Sequence, residues 1–241
     1  MTKEFVIKSK FGYDIDCVSN GVSNPKQAVL ILHGFGGDKW GEGFSKLKKT
    51  YEDVLFISFN CIGHGKSTTD TKDMTIEKIL NEINEVVEFI RSQTTAPLTI
   101  LGSSFGGYRA MLYANKFPNK INRVILINPA LKMLHTLEKL KGFKLEELKP
   151  DDVVYFKKSQ NKILSHKFLN DLKENNLFEI YKTFKFPCKI FVGTEDDLIE
   201  KEDLFEFEKL NNSKIQLVKD GHCLENTESW QEVVNELNKE F

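Results

Sequence analysis

Ser104 stands in Gly102-Ser103-Ser104-Phe105-Gly106, a serine with a glycine two residues to either side. That is the spacing of a nucleophile held on a sharp strand-to-helix turn. An apolar run at residues 98–101 leads in, and Ala110, Met111, Ala114 and Phe117 follow at helical spacing. Between them the chain must leave a strand, reverse and enter a helix within a few residues, and side chains at the flanking positions would clash unless those are glycine. The turn predicts a Ser104 Oγ held out for attack. Ser103 has no glycine two residues before it and reads as a small structural residue.

A serine hydroxyl is a poor nucleophile near neutral pH and needs a general base, itself held in one tautomer by a third group. In chains built on such an elbow the order is serine, acid, histidine, each after a successive strand. Of the five histidines only His222 follows the last strand-like run, in the turn Asp220-Gly221-His222. The preceding turn offers Glu195, Asp196 and Asp197. Asp196, three residues after Gly193 and three before Ile199, is the expected partner, with Asp197 as the alternative.

A carbonyl oxygen that gains charge in a tetrahedral intermediate needs two backbone N–H donors. Phe105, directly after the serine, supplies one, and Phe35 in the glycine-rich stretch His33-Gly-Phe-Gly-Gly37 supplies the other. Those glycines match neither a P-loop nor a dinucleotide fingerprint. His33 and His64, the latter in Gly63-His64-Gly65, read as residues that shape loops rather than as bases.

The elements that must position these groups follow from periodicity. Residues 5–8 and 13–18 alternate around Lys10-Phe-Gly12 as an edge hairpin, whereas residues 28–32, 54–59 and 123–127 are unbroken apolar runs suited to strands buried on both faces. Residues 44–51 suggest a short helix. Residues 75–90 carry Ile76, Ile79, Leu80, Ile83, Val86, Val87 and Ile90 on one face behind a capping Thr75. Strands at 187–192 and 214–218 and helices at 203–210 and 230–237 complete an alternation that predicts an α/β protein with a mostly parallel sheet and helices on both faces. Residues 131–183 break the pattern with short Lys- and Glu-rich amphipathic segments, read as a helical lid. Its Phe143, Phe156, Phe168 and Phe178, together with Phe35, Phe44 and Phe105, are candidates to line an apolar acyl pocket, Phe35, Phe156 and Phe168 foremost.

The 241 residues suit one domain over 1–241 with that insertion at about 131–183. A net charge of -1, with both signs interspersed and Arg91, Arg109 and Arg123 the only arginines, argues against nucleic acid or an acidic partner. No stretch reaches the ~18 apolar residues of a membrane span, and the N-terminus lacks a leader pattern, so the expected setting is cytoplasmic. The scattered Cys17, Cys61, Cys188 and Cys223 indicate reduced thiols rather than a disulfide framework or zinc site.

Taken in order, His33-Gly-Phe-Gly, Gly63-His-Gly-Lys-Ser67, Gly102-Ser-Ser-Phe-Gly106, Gly193-Thr-Glu-Asp196 and Gly221-His222 resemble the α/β-hydrolase superfamily over almost the whole chain. Within it they look like the cinnamoyl or feruloyl esterases and the monoacylglycerol-lipase-like carboxylesterases. The resemblance implies an eight-stranded sheet, a lid inserted after the sixth strand, and cofactor-free hydrolysis of small-molecule carboxylic esters with short or aromatic acyl groups. Thioesterase, other acyl-hydrolase and acyltransferase chemistry use the same machinery, and a binding protein on this fold is the non-enzymatic alternative. Asp197 stands where many relatives carry proline.

Overall fold

The computed structural model describes residues 2–47, 53–157 and 162–239. The chain opens with β1 (Thr2–Lys8) and β2 (Asp14–Asn20), then runs through β3 (Gln27–Leu32), α1 (Glu42–Leu47), β4 (Val54–Phe59), α2 (Ile76–Gln93), β5 (Leu98–Ser103), α3 (Phe105–Lys116) and β6 (Arg123–Ile127). Then come α4 (Met133–Lys141), β7 (Val153–Lys157), β8 (Lys162–Ser165), α5 (His166–Glu174) and α6 (Leu177–Ile180). The chain closes with β9 (Lys189–Gly193), α7 (Lys201–Asn211), β10 (Lys214–Val218) and α8 (Thr227–Leu237). Eight strands form one sheet in the order β1-β2-β4-β3-β5-β6-β9-β10. β1 and β2 pair antiparallel with each other, and β2 antiparallel with β4; from β4 to β10 every pairing is parallel. Every parallel strand thus ends on the same side, which gathers the loops after β3, β5, β9 and β10 at one rim.

The burial of β3, complete at all six positions, has its cause in two separate cores. On one face α2 and α3 pack with the inserted segment: Ile79, Ile83, Val86, Val87 and Ile90 of α2 meet Tyr108, Met111 and Leu112 of α3 in the larger cluster. On the other face Phe44 and Leu47 of α1 and Trp230, Val233, Val234 and Leu237 of α8 cover Ile31, Leu101 and Ile127. The helix expected over residues 44–51 is seen as α1 as far as Leu47; residues 48–51 lie outside the described ones. Thr75 caps α2 as expected, its hydroxyl accepting from the Lys78 N–H at 3.2 Å. Cys17, Cys61 and Cys188 are buried free thiols and Cys223 is exposed. Among the described residues no helix is long and apolar enough to cross a membrane.

The insertion differs from the all-helical expectation. It contains an antiparallel hairpin, β7 paired with β8, between α4 and α5. Residues 153–157 alternate exposed and half-buried along Val-Val-Tyr-Phe-Lys, a period of two that the surrounding lysines and glutamates obscure. Phe168 and Phe178 are core residues: Phe168 is fully buried, edge-on to Phe105 at 6.2 Å, and Phe178 packs edge-on to Phe207 at 5.5 Å. On α5 the spacing of Phe168, Leu169 and Leu172 serves packing.

The buried charged side chains include Glu82 of α2 and Arg109 of α3. Glu82 accepts the Ile62 N–H at 3.1 Å. Burial pushes its carboxyl up to about 7, against the lowering effects of that N–H and of Arg109. Arg109 donates through Nη2 to the His33 carbonyl at 2.5 Å and lies 5.0 Å from the centre of the Phe105 ring. One helix thus holds the loop after β4 and the next holds the end of β3.

Replacing Phe168 by alanine is expected to cost roughly 3–5 kcal/mol in urea unfolding; a loss below about 1 kcal/mol would mean the side chain is not part of the core. Glu82, titrating near 7 in the fold against 4.5 when free, makes folding take up a proton between those values. Its contribution to stability is therefore undiminished below about 4.5 and is lost as pH rises to 7. Measured by urea unfolding between pH 5 and pH 7, Glu82→Gln should gain on the parent chain by up to about 1.4 kcal/mol per pH unit. A difference that does not move with pH would contradict the raised titration.

Candidate active site

The elbow is built as its glycines require. Ser104 has φ 52° and ψ −119°, a backbone conformation that costs a non-glycine residue on the order of 1–3 kcal/mol. Four hydrogen bonds hold it: its N–H donates to the Ile127 carbonyl at 3.0 Å, and its carbonyl accepts from the N–H groups of Gly107 (2.9 Å), Ala130 (3.0 Å) and Tyr108 (3.3 Å). A β-carbon at Gly106 would stand 2.0 Å from the Leu32 carbonyl oxygen, and one at Gly102 would stand 2.5 Å from that of Gly106. α3 begins at Phe105, and the Ser104 side chain makes no capping hydrogen bond to it. The hydroxyl is thereby left to the cavity while the positive end of the helix dipole sits beside it.

His222 and Asp196 meet from two loops. Nδ1–H of His222 donates to Asp196 Oδ2 at 2.8 Å. Oδ1 of Asp196 accepts from the N–H groups of Leu198 (2.8 Å) and Ile199 (3.2 Å). The Asp196 side chain is only 1% exposed, whereas Glu195 and Asp197 face solvent. That contrast decides between the two aspartates for the contact with His222. This bond commits the proton to Nδ1 and leaves Nε2 as the acceptor. Ser104 and His222 line one cavity of about 240 Å³, shared with His33, Gly34 and Phe35.

The loop after β3 is held from beneath. His33 donates from Nδ1 to the Gly34 carbonyl at 2.8 Å and accepts the Cys61 N–H on Nε2 at 3.1 Å. Burial, with the charges of Arg109 and His64, keeps it neutral by lowering its pKa well below the usual imidazole range. His64 is likewise buried, donates to the Ile62 carbonyl at 2.9 Å and is pushed by burial down to about 3. Both histidines therefore shape loops, as the sequence suggests. Lys39, 2% exposed, ties the same loop to the edge hairpin through Asp16 (2.5 Å) and Glu4 (2.7 Å), while its N–H donates to Asn60 Oδ1 at 2.8 Å.

Of the expected pocket residues, Phe35 and Phe44 line the cavity, whereas Phe105 and the insertion's phenylalanines do not. Phe156 packs on Phe35 from outside, ring centres 4.4 Å apart, and Phe168 lies in the core. The described part of the insertion therefore braces the loop after β3 rather than lining this cavity. Asn128 was not singled out from the sequence. Fully buried, with φ 41°, it accepts the Gly193 N–H at 2.8 Å and donates to the carbonyls of His222 (2.9 Å) and Gly221 (3.1 Å). It thus staples the Asp196 loop to the His222 loop. Its signal was an asparagine, tolerant of positive φ, placed directly after a buried strand.

The solved structure of Est1E from Butyrivibrio proteoclasticus with ferulic acid bound superposes with a TM-score of 0.82 over 97% of each chain, at 22% identity. A thioesterase domain from the curacin biosynthetic pathway gives 0.68 over 99% of this chain and all of that domain, at 16% identity. In sequence, the human 1-acylglycerol-3-phosphate O-acyltransferase ABHD5 is 32% identical over 114 residues, 46% of this chain and 32% of that protein. Proline iminopeptidase PfmaB from Pestalotiopsis fici is 32% identical over 147 residues, 53% of this chain and 50% of that protein. The chain thus spans about a third to a half of the length of these curated relatives. The family model for the alpha/beta hydrolase fold matches residues 27–148, half of the chain, from the third strand through the elbow into the insertion, and the chain belongs to that family.

Proposed function

We propose that this chain is a serine hydrolase that cleaves carboxylic esters through an acyl-enzyme on Ser104. The hydrolase family and its esterase neighbours support the class; the single observation that carries the mechanism is the His222–Asp196 hydrogen bond beside a serine on a strained elbow. Ser104 Oγ attacks the ester carbonyl and forms a C–O bond while its proton passes to His222 Nε2. The imidazolium, held by the Asp196 carboxylate, gives that proton to the departing alkoxide as the old C–O bond breaks. Water then repeats the sequence and releases the acid. The N–H groups of Phe105 and Phe35 face the oxygen as it gains charge, a role worth several kcal/mol per donor where it has been measured.

Acyl transfer to an alcohol is the second reading, favoured by the 32% identity to the O-acyltransferase. Product analysis with glycerol competing against water separates the two: free acid as the main product supports hydrolysis, ester exchange supports transfer.

Ser104→Ala should reduce turnover of p-nitrophenyl butyrate by roughly 10⁶ and Asp196→Asn by roughly 10⁴, with circular dichroism unchanged. Near-parental activity in Ser104→Ala would remove the proposal, and an inert Asp196→Asn would shift the acid role to another residue. A fluorophosphonate should label Ser104 in the parent chain. Asn128→Ala should lower kcat at least tenfold with a smaller change in KM, because it frees the two loops that carry the acid and the base.

A further inference from the structure

None of the described residues of the insertion lines the 240 Å³ cavity. Its walls are Ile31, Leu101 and Ile127 from the ends of β3, β5 and β6, with Phe44 of α1 and Trp230 of α8, all five buried in the second core. Its rim carries the exposed Asp38, Glu42 and Cys223, beside Ser104 and His222. The cavity is therefore a blind apolar channel between the sheet and the α1–α8 layer, open at the nucleophile. Resting on the ester-hydrolase reading above, we infer that this channel takes the acyl group of the substrate, and that it selects uncharged, medium-length monocarboxylic acyl chains.

The assignment of acyl rather than alcohol to the closed end follows from the order of events. The alcohol must be protonated from His222 and leave before water can occupy its place. An alcohol seated in a blind channel would be trapped behind the acyl-enzyme and would bar that water. The acyl group stays covalently attached through both steps, so it alone can occupy the channel without blocking the reaction. A dry enclosed cavity of about 150 Å³ accepts benzene, and this one, part of whose about 240 Å³ is its mouth beside Ser104 and His222, has room for a chain of several carbons. A second carboxylate would have to be buried among these apolar walls, a cost that disfavours acyl groups carrying one.

Gly43 keeps the channel open. A β-carbon there would lie 3.1 Å from Ile31 Cγ2, 3.7 Å from Trp230 Cη2 and 4.0 Å from Leu101 Cδ2, three of the channel walls. A larger side chain at this position therefore projects among those walls. α1 is held over the channel by Lys46, whose Nζ donates to the carbonyls of Leu224 (3.1 Å) and Glu225 (3.0 Å) and lies 5.4 Å from the centre of the Trp230 ring.

The first test is substrate choice. The ratio of kcat/KM for p-nitrophenyl octanoate over acetate should fall at least tenfold in Gly43→Val, with Gly43→Ala between it and the parent chain. A ratio within twofold of the parent in a folded Gly43→Val would overturn the channel assignment. The second test does not depend on that variant folding. In a Trp40→Phe background, which leaves Trp230 as the remaining tryptophan, Ser104 is labelled with methyl or octyl fluorophosphonate and Trp230 emission is recorded. The octyl adduct should shift the emission and the methyl adduct should not. Equal spectra from two fully labelled samples, or labelling by the methyl reagent but not the octyl one, overturn the channel, whereas failure of both reagents to label Ser104 overturns the hydrolase reading instead.

Discussion

The approach of α3 to the end of β3 is the contact on which the rest depends. The backbone at Gly106 lies so close to the Leu32 carbonyl that a β-carbon there has no room. Because the helix can come this near, Phe35 of the loop after β3 and Phe105 of α3 are brought to a ring-centre distance of 5.4 Å. Gly107 and Gly102 extend the same demand, one against Pro129 and the other against Gly106. Any larger residue at these positions would push the serine away from the loop after β3.

Parts of the molecule governed by such local demands were legible in the sequence. The elbow follows from glycine spacing, the capped α2 from a seven-residue apolar stripe, and the buried strands from unbroken apolar runs. Position favoured Asp196 over Asp197, and in the structure the buried Asp196 carboxylate accepts the His222 Nδ1–H. Where the outcome depended on what another segment brings, the sequence was silent. Phe168 has the same type and spacing whether it faces a ligand or Phe105. The hairpin in the insertion needs a partner strand to become visible, and the channel lies among ordinary aliphatic and aromatic residues that the chain brings together from three strands and two helices.

The buried charges explain how loops on a parallel sheet hold still without regular backbone pairing. Backbone groups that leave a strand need partners when they are buried. Arg109 supplies one to the His33 carbonyl, Glu82 to the Ile62 N–H and Asn128 to three groups at once. Each reaches from a helix or strand end into a loop, so the scaffold supplies the partners that fix those loops.

The strained backbone at Ser104 has a consequence for how the molecule fails on heating. The unfavourable φ is maintained only while the Ile127 carbonyl and three N–H groups remain in place. Those partners belong to different elements, one at the end of β6, two in α3 and one beyond Pro129. A local loosening at any of them lets the serine relax to an ordinary conformation while the sheet and most helices persist. Thermal inactivation should therefore precede loss of secondary structure, and an inactive population of this chain would still look folded to circular dichroism.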